Sequence, residues 1–238
     1  MELRALIFDV DGTLADTEDQ GHRPAFNDAF ADAGLPWHWD AELYRDLLGV
    51  TGGKERIRHF CERFHPDFAQ RPDAADAIAR LHRAKTAQYV RRVADGHVQL
   101  LPGVRELIAE ARAAGLRLAI ATTTSPENVT SLLAATLGTE APGWFEVIGA
   151  GDIVAAKKPA PDIYLWVLQR LDVPAGTCLA FEDSLPGYAA ARAAGLPVVV
   201  TPSGGLTAAD FPDALAVWRT LAATDLRELG TLHATDRP

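Results

Sequence analysis

The chain has 238 residues, 48% of them hydrophobic, and a formal charge of −9 at neutral pH. That is enough apolar mass for a sizeable core, and the acidic balance argues against nucleic acid or an anionic membrane surface as a partner. No run of about 18 apolar residues is present to span a bilayer, the first residues lack the zones of a secretory signal, and only Cys61 and Cys178 occur, far apart, so neither a disulfide framework nor a Cys-rich zinc site is supported. A cytoplasmic monomer is the expectation. The charge is unevenly spread: residues 17–94 hold 12 basic and 12 acidic side chains, so the rest of the chain carries the whole deficit. An anionic substrate therefore needs locally placed cations and a metal to overcome that field.

Residues 6–16 read Leu-Ile-Phe-Asp-Val-Asp-Gly-Thr-Leu-Ala-Asp, an apolar run ending in two carboxylates two positions apart. In an extended strand the side chains at i and i+2 share a face, so Asp9 and Asp11 point at one target while Gly12 lets the backbone turn. Like charges so placed repel, which a divalent cation relieves. Asp9 can attack a phosphorus atom and Asp11 can shuttle a proton to the leaving oxygen. The plainer explanation is a strand followed by a solvated Asp-Gly turn.

From residue 17 to 94 no convincing strand follows, but Phe26, Phe30, Leu47, Leu48, Ile57, Phe60, Ile78 and Leu81 recur at helical intervals. This predicts an all-helical insertion at 17–94 that leaves the sheet and returns, forming a cap over the carboxyl edge of a core made of 1–16 and 95–238. Cys61 and His65 share a helical face there but lack the further ligands that zinc needs.

Short apolar segments at 3–8, 116–121, 147–148, 178–181 and 198–200 alternate mostly with helix-like stretches. Such alternation predicts an α/β fold, a Rossmann-like parallel sheet with helices on both faces. Turn residues bracket the predicted helices: 104–114 lies between Pro102-Gly103 and Gly115, 162–171 follows two prolines, and 188–194 ends at Gly195.

Three of the strand ends carry polar chemistry. Thr122-Thr123-Thr124-Ser125-Pro126 puts hydroxyls and free amides where a strand gives way to a helix, which suits an anion; alternatively Ser125 simply caps that helix, with Pro126 in its first turn. Lys158, extended before Pro159, can reach a phosphoryl oxygen and stabilise a charge-rich transition state, or belong with Lys157 to a solvated surface pair. Glu182-Asp183-Ser184 ends an apolar strand, where open α/β sheets place their ligands; either it caps the Pro186 helix, or Asp183 joins Asp9 and the Asp11 backbone carbonyl around magnesium with Glu182 behind them.

The order Asp-x-Asp-Gly-Thr, Thr, Lys-Pro, Glu-Asp resembles the haloacid dehalogenase-like superfamily of phosphatases over nearly the whole chain. Within it, Phe8-Asp9-Val10-Asp11-Gly12-Thr13-Leu14, Trp37-His38-Trp39-Asp40 and Thr51-Gly52-Gly53-Lys54-Glu55-Arg56-Ile57 are similar to the CbbY group. The resemblance implies a Mg2+-dependent sugar-phosphate phosphatase acting on xylulose 1,5-bisphosphate, a misfire product that inhibits Rubisco. It implies Asp9 as nucleophile, Asp11 as acid/base, Thr122, Thr123 and Lys158 on the transferring phosphoryl group, and Asp9, Asp11 and Asp183 as metal ligands. For the cap it points to Glu18, His22, Tyr44, Gly52 and Lys54 as substrate contacts, with Glu18 and His22 one residue further apart than the family's usual spacing.

The residues themselves add a weaker case. A bisphosphate needs a second anion site remote from the metal; Lys54 after two glycines can supply it, or Gly52-Gly53 can open a helix running through Phe64. His22 and Tyr44 can bind sugar hydroxyls or line the cap. A phosphomutase of the same fold, a sugar-phosphate sensor and a true dehalogenase are the competing functions; retention of both Asp9 and Asp11 speaks against the last two.

Overall fold

The structure is a computed structural model and describes residues 2–222 and 224–235. Six strands form one sheet, β1 (Ala5–Phe8), β2 (Arg117–Ala121), β3 (Val147–Gly149), β4 (Cys178–Glu182), β5 (Val198–Val200) and β6 (Ala216–Val217), in the spatial order β3-β2-β1-β4-β5-β6. All neighbouring pairs are parallel. The first strand in the chain therefore sits near the middle, with Ala5 opposite both Arg117 and Cys178.

Alternation along the strands divides the core. Leu6, Phe8, Leu118, Ile120, Leu179 and Phe181 pack on one face against α6 (Val104–Ala113), α7 (Pro126–Leu137) and α10 (Leu226–Thr235). Ala5, Ile7, Ala119, Ala121, Cys178 and Ala180 pack on the other against α8 (Asp162–Leu171) and α9 (Leu185–Ala193). Because both faces are covered, the strands read as continuous apolar runs. Phe8 and Phe181 stack across the β1–β4 pair with centroids 4.7 Å apart.

Between β1 and β2 lie α1 (Arg23–Asp32), α2 (Ala41–Leu47), α3 (Gly53–Phe64), the short α4 (Pro66–Ala69) and α5 (Ala74–Ala94). They enclose their own cluster: Phe26, Phe30, Trp37, Trp39, Tyr44, Leu47, Ile57, Phe60, Ile78 and Leu81, with Leu48 packed against it. Asn27 clasps Trp39 through both its backbone groups, and Asp40 caps α2 by accepting from the Leu43 amide. His65 stacks on Trp37 beside Phe60. The expected boundary at residue 94 does not divide the apolar packing: Tyr89 and Val93 before it and Val98 after it belong to the sheet-side cluster.

Local differences from the sequence-based expectations have simple causes. The helix expected at 188–194 begins at Leu185, since Ser184 caps it by accepting from Gly187 and Pro186 occupies the first turn. Gly52 and Gly53 open α3. The two-residue β6 is too short for a periodicity argument, and the terminal helix α10 (Leu226–Thr235) lies beyond the helices the sequence predicts.

Removing one ring of the Phe8–Phe181 stack with Phe181→Ala is expected to lower unfolding stability by about 3–5 kcal/mol, read as a lower urea midpoint at unchanged slope.

Candidate active site

The chain leaves β1 at Asp9, whose amide donates to the Phe181 carbonyl on β4. It turns at once through Gly12, which has a left-handed φ of 83°. A side chain at residue 12 would put its first carbon 2.1 Å from Asp183 Oδ2, so glycine is what lets the loop after β1 close on the loop after β4. Thr122, just past β2, donates its amide to Gly149 on the far side. Three strand ends thus converge at the point where the chain's winding reverses, the ordinary ligand position of open parallel sheets.

Lys158 reaches into this point from the segment before α8. Its Nζ donates to Asp9 Oδ1 at 2.7 Å and to Glu182 Oε1 at 2.6 Å, while Tyr164 of α8 also donates to Glu182 Oε1. Ser203 donates to Asp183 Oδ2. Ligand atoms of Asp9, Glu182 and Asp183 lie within 4.8 Å of one another, and all three residues are buried. Burial pushes Asp9 up to about 7 against the pull of Lys158, with Glu182 and Asp11 adding to the rise. Burial, then Asp9 and Glu182, push Asp183 well above the usual carboxylate range. For Lys158, burial disfavours the charge, but Asp9 and Glu182 outweigh it and hold the ammonium well above the ordinary lysine value. Three buried carboxyls thus face one ammonium, and the excess negative charge suits a divalent cation held by oxygen ligands. Glu182 Oε1 is taken by Lys158 and Tyr164, while its Oε2 is buried with no hydrogen-bond partner among the described residues, so each of the three carboxyls keeps an oxygen that can ligate.

Asp11 faces the other way. Its Oδ1 accepts from Thr17 Oγ1 at 2.7 Å and lies 2.9 Å from His22 Nε2, and His22 Nδ1 is 2.7 Å from the ammonium of Lys85. Because an ammonium only donates, Nδ1 accepts and Nε2 carries the proton given to Asp11. Burial opposes charge on Asp11, yet His22, with Thr17 and Lys85, outweighs it and holds the carboxyl well below its ordinary range. Burial lowers Lys85 to about 8 against the attraction of Asp11 and Glu18. The two aspartates of one motif are thereby set apart, Asp9 toward the neutral acid and Asp11 toward the carboxylate.

The helices between β1 and β2 close a cleft of about 530 Å³ over this edge, walled by Asp9, Asp11, Glu18, His22, Tyr44, Gly52, Thr122, Thr123, Lys158 and Asp183 among others. Tyr44 donates to Glu18 Oε2, and Arg56 Nη1 donates to the Tyr44 hydroxyl at 2.9 Å with its guanidinium 5.2 Å from the ring centroid. Lys54 points elsewhere: its ammonium pairs with Asp152, which also binds Lys157, and Lys157 reaches Glu55. These four residues tie the start of α3 to the loop after β3. Ser125 makes no side-chain cap at α7, and its buried hydroxyl has no hydrogen-bond partner among the described residues.

Arg56, Lys85 and Tyr164 were not singled out in the sequence. A basic residue inside a helix reads as part of a solvated face, and Tyr164 as one more apolar position of α8. Only burial separates them: Arg56 is 8% exposed, Lys85 4% and Tyr164 fully buried.

Comparison with known proteins agrees with this geometry. Residues 3–195 match the model of the haloacid dehalogenase-like hydrolase family. Protein CbbY of Rhodobacter capsulatus is 58% identical over 219 residues, covering 92% of this chain and 93% of that protein. The plasmid-borne Protein CbbY of Cupriavidus necator is 53% identical over 90% of this chain and 84% of its own length. A crystal structure of a mutant CbbY from Rhodobacter sphaeroides in complex with xylulose-(1,5)bisphosphate superposes with a TM-score of 0.88 at 48% identity, covering 95% of this chain and 99% of that one. Agreement of sequence, fold and strand-end chemistry over nearly the whole length places the chain in the haloacid dehalogenase-like hydrolase family, as a phosphatase of the CbbY group.

Proposed function

We propose that the protein is a magnesium-dependent phosphatase that converts xylulose 1,5-bisphosphate to xylulose 5-phosphate through a phosphoryl group carried on Asp9. The observation that carries the reading is the buried Lys158 ammonium 2.7 Å from Asp9 Oδ1, beneath a helical wall that brings a second buried cation, Arg56, to the same cleft. The xylulose-(1,5)bisphosphate held by the Rhodobacter sphaeroides relative supports the choice of sugar.

In this reading residues 17–94 act as the cap and exclude water from the cleft. Asp9, Asp183 and the backbone carbonyl of Asp11 hold magnesium, which when bound supplies the charge neutralisation that lets an anionic carboxylate approach a phosphate. Thr122 and Thr123 grip the transferring phosphoryl oxygens together with Lys158. Asp9 attacks phosphorus while Asp11 protonates the departing sugar oxygen; Asp11 then takes a proton from water, which releases phosphate and restores Asp9. The bonds from Thr17 and His22 keep Asp11 a carboxylate, the form needed for the second half. The proton it gives to the sugar oxygen is the one it took from water in the preceding turnover. Glu18, His22, Tyr44 and Gly52 face the sugar, and Arg56 meets the second phosphate in place of Lys54, whose ammonium is held by Asp152.

The test is a phosphate-release screen over mono- and bisphosphorylated pentuloses and hexoses, with and without magnesium. One phosphate per xylulose bisphosphate is expected, and none from Asp9→Asn with its folding intact. Sugar consumed without free phosphate would instead identify a phosphomutase, and equal turnover of monophosphates would remove the specific substrate.

Arg56→Leu is expected to reduce kcat/KM for the bisphosphate by about 10–100-fold, the worth of a charge-assisted hydrogen bond. Monophosphate turnover, measured in parallel, should change far less; equal losses would detach Arg56 from the second phosphate.

Metal and pH are linked through the acidic cluster. Asp9 rises from its ordinary 3.8 to about 7, and Asp183 rises as well. In the metal-free chain the stability these groups contribute is present below their unfolded values and lost as pH climbs through the raised ones. Metal binding needs the deprotonated forms. Magnesium at a hundredfold excess over its Kd should therefore add about 2.7 kcal/mol near pH 8, roughly 5–10 °C in Tm for a chain of this size. Thermal melts should show little of that gain near pH 5.

A further inference from the structure

Glu18 and His22 stand at the two ends of a single helical turn, Glu18–His22, wound wider than an α-helix. The His22 amide donates to the Thr17 carbonyl at 2.7 Å and the Arg23 amide to the Glu18 carbonyl, each bond reaching five residues back. Such a turn accommodates one more residue than α geometry allows, and here both end residues still face the cleft.

The wide turn presses Gly21 onto the ring of Tyr89. A side-chain carbon at residue 21 would lie 2.7 Å from Tyr89 Cε2 and 3.1 Å from Val98 Cγ2. Gly21 is not among the glycines with positive φ, so the demand is for space, not for an unusual backbone. Tyr89 has nowhere to retreat. It is fully buried, one face stacks on His22 with centroids 4.3 Å apart, and the Lys85 ammonium sits 5.3 Å from the ring centroid. His22 and Lys85 are bonded to each other, and His22 to Asp11. A displaced ring therefore displaces the imidazole that orients Asp11.

We infer that Gly21 and Tyr89 are positioning residues for the phosphatase reaction: the wide turn closes on the Tyr89 ring only because residue 21 lacks a side chain, and that ring holds His22 and Lys85 against Asp11. The inference rests on the reading of Asp11 as the proton carrier. It extends that reading to two residues that touch neither substrate nor metal.

The experiment compares Gly21→Ala, deletion of the exposed Gln20, and the two combined, by kcat, KM and thermal melting, on the phosphorylated sugar the wild type cleaves. Gly21→Ala is expected to lower kcat about 10–100-fold, the usual cost of an ångström-scale misplacement, with KM changed less than about threefold. Deleting Gln20 narrows the turn to ordinary helical spacing and withdraws residue 21 from the ring. In that background Gly21→Ala should cost less than about threefold, a coupling that independent sites do not show. Wild-type kcat in Gly21→Ala, or the same loss in both backgrounds, would overturn the inference. Should the wild type release phosphate from no sugar, the reading of the site fails by itself. A crystal structure of Gly21→Ala then decides the positioning: a His22 Nε2 to Asp11 separation beyond about 3.5 Å supports it, and an unchanged contact sinks it.

Discussion

The buried contact of Lys158 with Asp9 and Glu182 is the constraint around which the rest is arranged. An ammonium with almost no access to water is costly unless carboxylates surround it, and carboxylates so close together are costly unless a cation joins them. Each makes the others tolerable, so a sheet edge, a loop before α8 and the end of β4 are held to one geometry. Tyr164 completes it from α8 by occupying the oxygen of Glu182 that faces Lys158. Ser203, from the loop after β5, does the equivalent for Asp183. The site is thus a property of the whole sheet, with a contribution from every strand end near the reversal of winding.

Charge also explains why two aspartates separated by one residue behave differently. Asp9 faces inward to the acidic cluster, where burial favours the neutral acid. Asp11 faces the helices, where Thr17 and the His22–Lys85 pair favour the carboxylate. The strand brings them to one place, and the helical segment decides what each does. Sheet and helices are joined by packing around Tyr89 and by the Lys54–Asp152–Lys157–Glu55 ion cluster at the seam. Those ion pairs are partly exposed, so their individual worth is small, and apolar contact at the end of α5 carries more of the attachment.

Much of this could be read from residues alone, for identifiable reasons. Strands covered on both faces have few ways to be written, so residues 3–8, 116–121 and 178–181 announce themselves as apolar runs, and polar residues at their ends mark the ligand edge. The helical apolar positions, Phe26 to Leu81, are spaced by the periodicity that buries them. What escaped depends on tertiary context. Nothing local distinguishes Arg56 or Lys85 from a solvated base, or Tyr164 from a packing residue. Ser125 and Ser184 both precede a helix opened by proline, yet only Ser184 makes the side-chain cap. Lys54 sits in the stretch most suggestive of a ligand loop, but a carboxylate across the seam claims its ammonium. The four-residue spacing of Glu18 and His22 leaves the pose of the histidine beyond a spacing argument; in the structure a widened turn brings the imidazole to Asp11.

The central place of β1 has a consequence for how the molecule comes into being. Its partners on either side, around Arg117 and Cys178, are distant in the chain, and closing such long loops slows folding. A ribosome delivers Asp9 early and Lys158, Glu182 and Asp183 much later. Until β2 emerges β1 has neither of its partners, and until β4 emerges Asp9 has no Glu182 or Asp183 beside it. The acidic cluster cannot assemble on a half-made polypeptide, and the bare β1 segment is what a nascent-chain chaperone would have to shield.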